Sequence, residues 1–147
     1  MNGKVVVGYD GSDMAKAALG KAIDLAKAGD DGEVTIVCGQ DRPPHWVTYR
    51  GPAVEMNAYL EQLDKEIIEG LEEASKVVAD AGVKAATTCT REHPVDLMIR
   101  IADEVGAEAI VVGAKGSGSG HDVVLGSTTM KILHHSDVPV VVVPYAE

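Results

Sequence analysis

The chain has 147 residues, 46 % of them hydrophobic and only 3 % aromatic with no Phe, so it suffices for one globular domain whose core must be built from Val, Ile, Leu, Ala and Met. Acids outnumber bases 23 to 13, a formal charge of −10. That balance argues against nonspecific binding to nucleic acid or to an anionic membrane, both of which need a basic face.

In chain order, KVVVGY (4–9) is a short apolar, β-branched run that ends in the turn signal DGSD. Ser12 then caps a helix with Met14, Ala18, Ala22 and Leu25 on one stripe, closed by Gly29. EVTIVCG (33–39) reads as a second buried strand. The segment 40–55 carries Pro43, Pro44, Pro52 and the single tryptophan, Trp46. Loops that long are uncommon in compact domains and usually serve a function or stay mobile.

A long helix is expected over 53–81, with Met56, Leu60, Leu63, Ile67, Leu71, Ala74 and Val78 at three- and four-residue steps and Gly82 as its stop. VKAATTCTR (83–91) is a third strand, and Pro94 opens a helix that Gly106 ends. EAIVVGA (108–114) is a fourth strand. A glycine-rich stretch follows, then a short helix (127–136) and a fifth strand (138–144).

Strands alternating with helices imply an α/β fold, a five-stranded parallel sheet with helices on both faces, in the Rossmann-like order 3-2-1-4-5. The apolar runs are continuous rather than alternating, as strands buried on both faces require. All of 1–147 is expected to form one domain. With no signal peptide or membrane span in the sequence, a cytoplasmic location is the default. The two cysteines, Cys38 and Cys89, sit in apolar strand-like runs and are read as reduced core thiols.

In such a sheet, ligands bind beyond the carboxyl ends of the strands where the winding reverses, here between strands one and four. The loop YDGSD and the stretch GAKGSGSGHDVVLGS (113–127) meet there. Gly113, Gly116, Gly118 and Gly120 are read as positions that permit φ > 0 and bring backbone N–H groups close to a ligand. Gly126, Ser127 and Thr128 open a helix whose first N–H groups favour phosphate, and Lys115 or Mg²⁺ would offset the acidic surroundings. Neither GxxxxGK[ST] nor GxGxxG is present, which excludes a P-loop enzyme and a Rossmann dehydrogenase as readings.

The spacing Gly113-x2-Gly116-x9-Gly126-Ser127 resembles the signature of the ATP-binding branch of the universal stress proteins. VVVGYDGSDMAKAAL and DVPVVVVP look like that family's first strand and helix and its last strand, so the resemblance spans essentially the whole chain. It implies an adenine nucleotide alpha hydrolase-like fold. It also implies ATP as ligand, with Gly8 and Tyr9 lining the base and Cys38 and Gly39 flanking adenine. Asp10 would contact ribose or a Mg²⁺ held with the phosphates, and Gly113, Gly116, Gly126, Ser127 and Thr128 would cradle ribose and phosphates. A homodimer through the last strand is implied too. The Ser-Gly alternation at 117–120 departs from the family pattern.

The function expected is a nucleotide-dependent regulatory module in the stress response, read by a protein partner the sequence does not name, with at most slow ATP hydrolysis. Nucleotide occupancy would bias the segments 40–55 and 114–125. The rival from the enzyme class is an ATPase or phosphotransferase using the same crevice. A phospho-acceptor domain is a further rival, but it needs an Asp after strand three and a Lys after strand five, where the chain has TCTR and PYAE. Ser12 is both a candidate contact and a helix cap, and Lys115 is either a phosphate partner or a solvated lysine. Trp46 either folds over the base as a lid or packs on the surface. His121-Asp122 as a catalytic pair and His134-His135 as metal ligands are the weaker readings of those residues. PVVVVP (139–144) would leave an open apolar rim on an edge strand, which a second copy pairing the same strand would cover.

Overall fold

The computed structural model describes residues 1–39, 53–115 and 125–144, with side chains described from Asp64 onward in the long second helix. The elements are β1 (Lys4–Gly8), α1 (Asp13–Lys27), β2 (Glu33–Gly39), α2 (Ala53–Asp80), β3 (Lys84–Thr90), α3 (Pro94–Val105), β4 (Ala109–Gly113), α4 (Ser127–His135) and β5 (Val140–Val143). All sheet pairings are parallel, and the order is β3-β2-β1-β4-β5, as the sequence pattern implies. Among the described residues no helix is long and apolar enough to cross a membrane.

Alternate side chains of a strand point to opposite faces, and this divides the core into two layers. Val5, Val7, Val34, Ile36 and Val111 pack against α1 and α2 through Ala18, Leu19, Ala22, Leu71 and Val78. Val6, Val37, Ile110 and Val112 pack on the other face against Leu97, Met98 and Ile101 of α3 and Ile132 of α4. The central strands are therefore buried at consecutive positions. The edges are not: β3 has only exposed and half-buried positions, and all four residues of β5 are half-buried.

Local signals set the helix ends. The Ser12 hydroxyl accepts from the Ala15 N–H at 3.2 Å, and His93 Nδ1 accepts from the Val95 N–H at 3.2 Å one residue before Pro94 opens α3. Gly82 and Gly106 stand at φ 82° and 67°, the left-handed geometry that ends a helix.

Two sequence expectations change. The buried face of α1 is wider than the expected stripe: Ala15, Leu19, Ile23 and Ala26 are buried, while Leu25 is only half-buried. A helix lying on a sheet buries two adjacent rows, not one. Gly29 is not the cap, which is Ala28 in ordinary right-handed geometry. Gly29 is there for space, since a Cβ on it would lie 2.2 Å from Gly3 Cα. The Asp30 and Asp31 N–H groups donate to the Met1 and Asn2 carbonyls, so the N-terminal segment is laced to this turn.

Candidate functional site

The carboxyl ends of β1 and β4 part at the switch point, where their following helices leave on opposite faces. A cavity of about 250 Å³ opens there. It is lined by Gly8, Tyr9, Asp10, Cys38, Gly39, Gly113, Lys115, Gly126, Ser127 and Thr128, so ten of the expected site residues come together. Gly116 lies outside the described residues, as do Gly118, Gly120, Trp46 and the His121-Asp122 pair.

The glycine-rich connection is closed at its base. The Gly126 N–H donates to the Ala114 carbonyl at 2.7 Å, and Thr129 Oγ1 donates to the Gly113 carbonyl at 2.7 Å. The Ala114 N–H donates to the Val143 carbonyl at 2.8 Å, so Ala114 also ties the end of β4 to β5. A buried carbonyl or N–H left unpaired would cost about 1–3 kcal/mol, so these bonds fix where α4 begins relative to β4. Gly126 brings no side chain to cap α4, whereas Ser12 and His93 cap α1 and α3. The first turn of α4, with exposed Ser127 and half-buried Thr128, faces the cavity.

The glycines act here through space rather than through unusual backbone angles. Gly126 has φ −72°, which any residue adopts, and Gly113 has no positive φ. This corrects the reading of Gly113 as a φ > 0 position. A Cβ on Gly113 would approach Met14 Cβ at 3.0 Å, so the residue is small because α1 starts against it. A Cβ on Gly39 would lie 2.6 Å from Pro94 Cα, and one on Gly8 would lie 2.7 Å from Met98 Sδ. Among the described residues, the positive angle at this end of the sheet belongs to Gly11, φ 81°, in the turn after β1. There Asp10 Oδ1 accepts from the Ser12 N–H at 2.9 Å, an Asx-type turn that holds the exposed Asp10 carboxylate at the rim.

The electrostatics are mixed. Lys115 is only 7 % exposed and is the one lysine among the residues named in the cavity lining. Burial, then Glu73, then Asp10 push the Tyr9 phenol above its usual range. Burial first, then the neighbouring Cys89 and Asp10, push the Cys38 thiol up to about 12, so Cys38 is a neutral thiol at physiological pH. Cys89, however, is exposed, which corrects the reading of both cysteines as core thiols: β3 is an edge strand and leaves it uncovered.

Sequence reasoning missed Pro94 and Met98 as lining residues. The signal was available, because the loop after β3 reaches the same end of the sheet and Met98 lies one helical turn beyond Pro94. It also missed Thr129, buried at 3 % exposure, whose role becomes visible only once Gly113 is placed beside it. His134 and His135 stand in the last turn of α4, where a helix C-terminus favours positive charge. Among the described residues no group of three or more His, Cys, Asp or Glu is placed to hold a metal.

A profile of the universal stress protein family matches residues 1–144. The chain is 30 % identical over 148 aligned positions to the universal stress protein YxiE of Bacillus subtilis, covering 97 % of this chain and 99 % of that one. Among solved structures, the universal stress protein UspA from Lactobacillus plantarum superposes with a TM-score of 0.79 at 23 % identity, covering 97 % of this chain and 99 % of that one. A universal stress protein crystallised in complex with cAMP superposes with a TM-score of 0.65 at 26 % identity, covering 99 % and 98 %.

Proposed function

This chain belongs to the universal stress protein family, and from that premise we propose that it binds ATP or a close adenine nucleotide in the crevice between β1 and β4. The observation that carries the reading is the convergence of Lys115 and the uncapped first turn of α4 on one cavity at the switch point. A relative of the same fold taken up with cAMP supports an adenine nucleotide as the ligand class.

In this reading Gly8, Tyr9, Cys38 and Gly39 form the wall for the base. Asp10 stands at the rim for the ribose, and Gly113, Lys115, Gly116, Gly126, Ser127 and Thr128 hold the phosphates. The local donors offset the protein's overall charge of −10 over the few ångströms that matter, because charges beyond a Debye length are screened. Mg²⁺ bound with nucleotides usually takes one or two protein carboxylates and completes its shell with phosphate oxygens and water. Asp10 fits as a single ligand of that kind, and the ion's part would be to neutralise phosphate charge.

The output is regulatory. A nucleotide that binds one conformation about tenfold more tightly shifts the balance by about 1.4 kcal/mol, enough for a protein partner to read. Hydrolysis is at most slow in this account, and the site of action is the cytoplasm. Fast turnover lost in Asp10→Ala would favour the ATPase or phosphotransferase reading instead.

A second copy of the chain completes the molecule in this proposal. β5 is an edge strand of four half-buried valines, and Met130 and Leu133 are exposed on α4, which packs beside it. Pairing β5 with the β5 of a second copy covers that rim. The nucleotide reading is tested by denaturing the purified protein and identifying the released small molecule by mass spectrometry. An adenine nucleotide at near-equal molar ratio supports it. A protein that carries none, and takes none up at millimolar ATP with Mg²⁺, overturns it.

A further inference from the structure

Cys38 and Cys89 are direct neighbours in the β2–β3 ladder, in register with each other. In-register residues of parallel strands point to the same face, with Cα atoms about 4.8 Å apart. That spacing lies inside the range of about 4.4–6.8 Å that a disulfide spans. Both cysteines are free.

The pair also connects two cavities. Cys38 is buried and lines the crevice at the switch point. Cys89 is exposed and lines a separate cavity of about 350 Å³ on the α2 side, with Ile68, Leu71, Glu72, Ser75 and Thr87. A small oxidant therefore meets Cys89 first, from the α2 side, without passing through the crevice.

We propose that Cys89 and Cys38 are a thiol-modification site: Cys89 is oxidised by a hydroperoxide, and Cys38 resolves it into an intramolecular disulfide in the crevice wall. In the first step the Cys89 sulfur attacks the outer oxygen of the hydroperoxide. The O–O bond breaks, the leaving oxygen takes up the thiol proton as alcohol or water, and Cys89 becomes a sulfenic acid. In the second step the Cys38 sulfur displaces hydroxide from that sulfur. The S–S bond forms, the S–O bond breaks, and the Cys38 proton leaves with the hydroxide as water. Two thiols lose two electrons in total and one hydroperoxide is reduced.

Closing the bond draws the Cys38 sulfur toward β3 and away from the crevice. On the reading that the crevice holds an adenine nucleotide, oxidation then lowers its affinity. Cys89 is exposed, which leaves the bond open to reductant, so the change is reversible.

The test uses the full chain exposed to hydrogen peroxide, followed by thiol alkylation and intact-mass measurement. The expected product is a monomeric species lighter by two hydrogens, with neither cysteine alkylated, that returns to two free thiols with reductant. Cys89→Ser is expected to keep Cys38 reduced, and Cys38→Ser to stop at a Cys89 sulfenic acid trapped by dimedone. Cys38→Ala serves where the serine variant folds poorly. Oxidation of Cys89 with Cys38 left free, or a disulfide between two copies only, overturns the proposal. Nucleotide affinity is then measured on reduced and oxidised protein, with a loss of at least about fivefold expected on oxidation and recovery on reduction. A disulfide that forms and leaves affinity unchanged overturns the coupling. Reduced protein that binds no nucleotide overturns the crevice reading, while the mass measurement still decides the thiol pair.

Discussion

Thr129 Oγ1 donates to the Gly113 carbonyl at 2.7 Å, tying the start of α4 to the end of β4 across the fifteen intervening residues, 114–128. Thr129 is 3 % exposed, so the bond is shielded from water. It is the structural reason that Lys115, two residues after Gly113, and Ser127, two residues before Thr129, face one cavity.

Thr129→Val keeps the shape of the side chain and removes its donor, leaving a buried carbonyl without that partner. A loss of about 1–3 kcal/mol in urea unfolding is expected, with weaker nucleotide binding in the folded fraction. A variant of unchanged stability and affinity would show that the bond does not hold the site.

Ser127 is exposed at the first position of α4. Ser127→Asp puts a negative charge at the positive end of the helix, which stabilises it by about 0.3–1 kcal/mol. The same charge repels a phosphate. The melting temperature should hold or rise slightly while ATP affinity falls at least about tenfold, a separation that unfolding cannot mimic.

The dimer proposal is best tested on the backbone. The Pro139 and Val143 carbonyls accept from Ile110 of β4 and from Ala114 just after it, so alternation directs the Val140 and Val142 N–H and C=O groups to the open edge. Val142→Pro removes one outward donor and keeps the β4 ladder. The expected result is a folded monomer in analytical ultracentrifugation. A full dimer would remove β5 from the interface. Val141→Lys would be less clean because Val141 packs against the α1-side core.

Alkaline stability should depend on Cys38. Its thiol is pushed up to about 12 in the folded chain, mainly by burial, above its value in the unfolded chain, which is about 8.5. The folded state therefore holds a proton that the unfolded state releases. The contribution is complete below the unfolded value and is lost as pH rises toward about 12. Urea unfolding under reductant should show wild type losing more stability than Cys38→Ala between pH 9 and 11. Parallel curves for the two proteins would contradict this.

Much of this was legible in the sequence, for reasons that can be named. The parallel sheet followed from the alternation of continuous apolar runs such as VVV at 5–7 with amphipathic helices, because such a sheet must be buried on both faces, and the doubly wound pattern suggested the order that the structure has. Topology alone brought the ends of β1 and β4 together, while Gly8, Tyr9, Cys38 and Gly39 came from the family resemblance; ten of the eleven candidate residues line a single cavity. What stayed hidden depends on distance in space. Gly29 reads as a helix stop until Gly3 is seen against it, and Gly113 reads as a flexible position until Met14 is seen beside it. The Cys38–Cys89 pair is hidden in the same way, because no spacing along the chain shows that two strands share a register. The stretch from Gly116 to Val124 lies outside the described residues, so its Ser-Gly alternation is still known from the sequence alone.

Calorimetric titration of nucleotide-free, reduced protein with ATP and Mg²⁺, beside the same titration with adenosine, tests the central claim most directly. Saturable one-to-one binding of ATP is predicted, with adenosine weaker by at least about tenfold, because in the proposed cradle Lys115 and the first turn of α4 would act on the phosphates. Equal affinity for the two would contradict the phosphate cradle, and no heat or saturation with either would contradict nucleotide binding at this crevice.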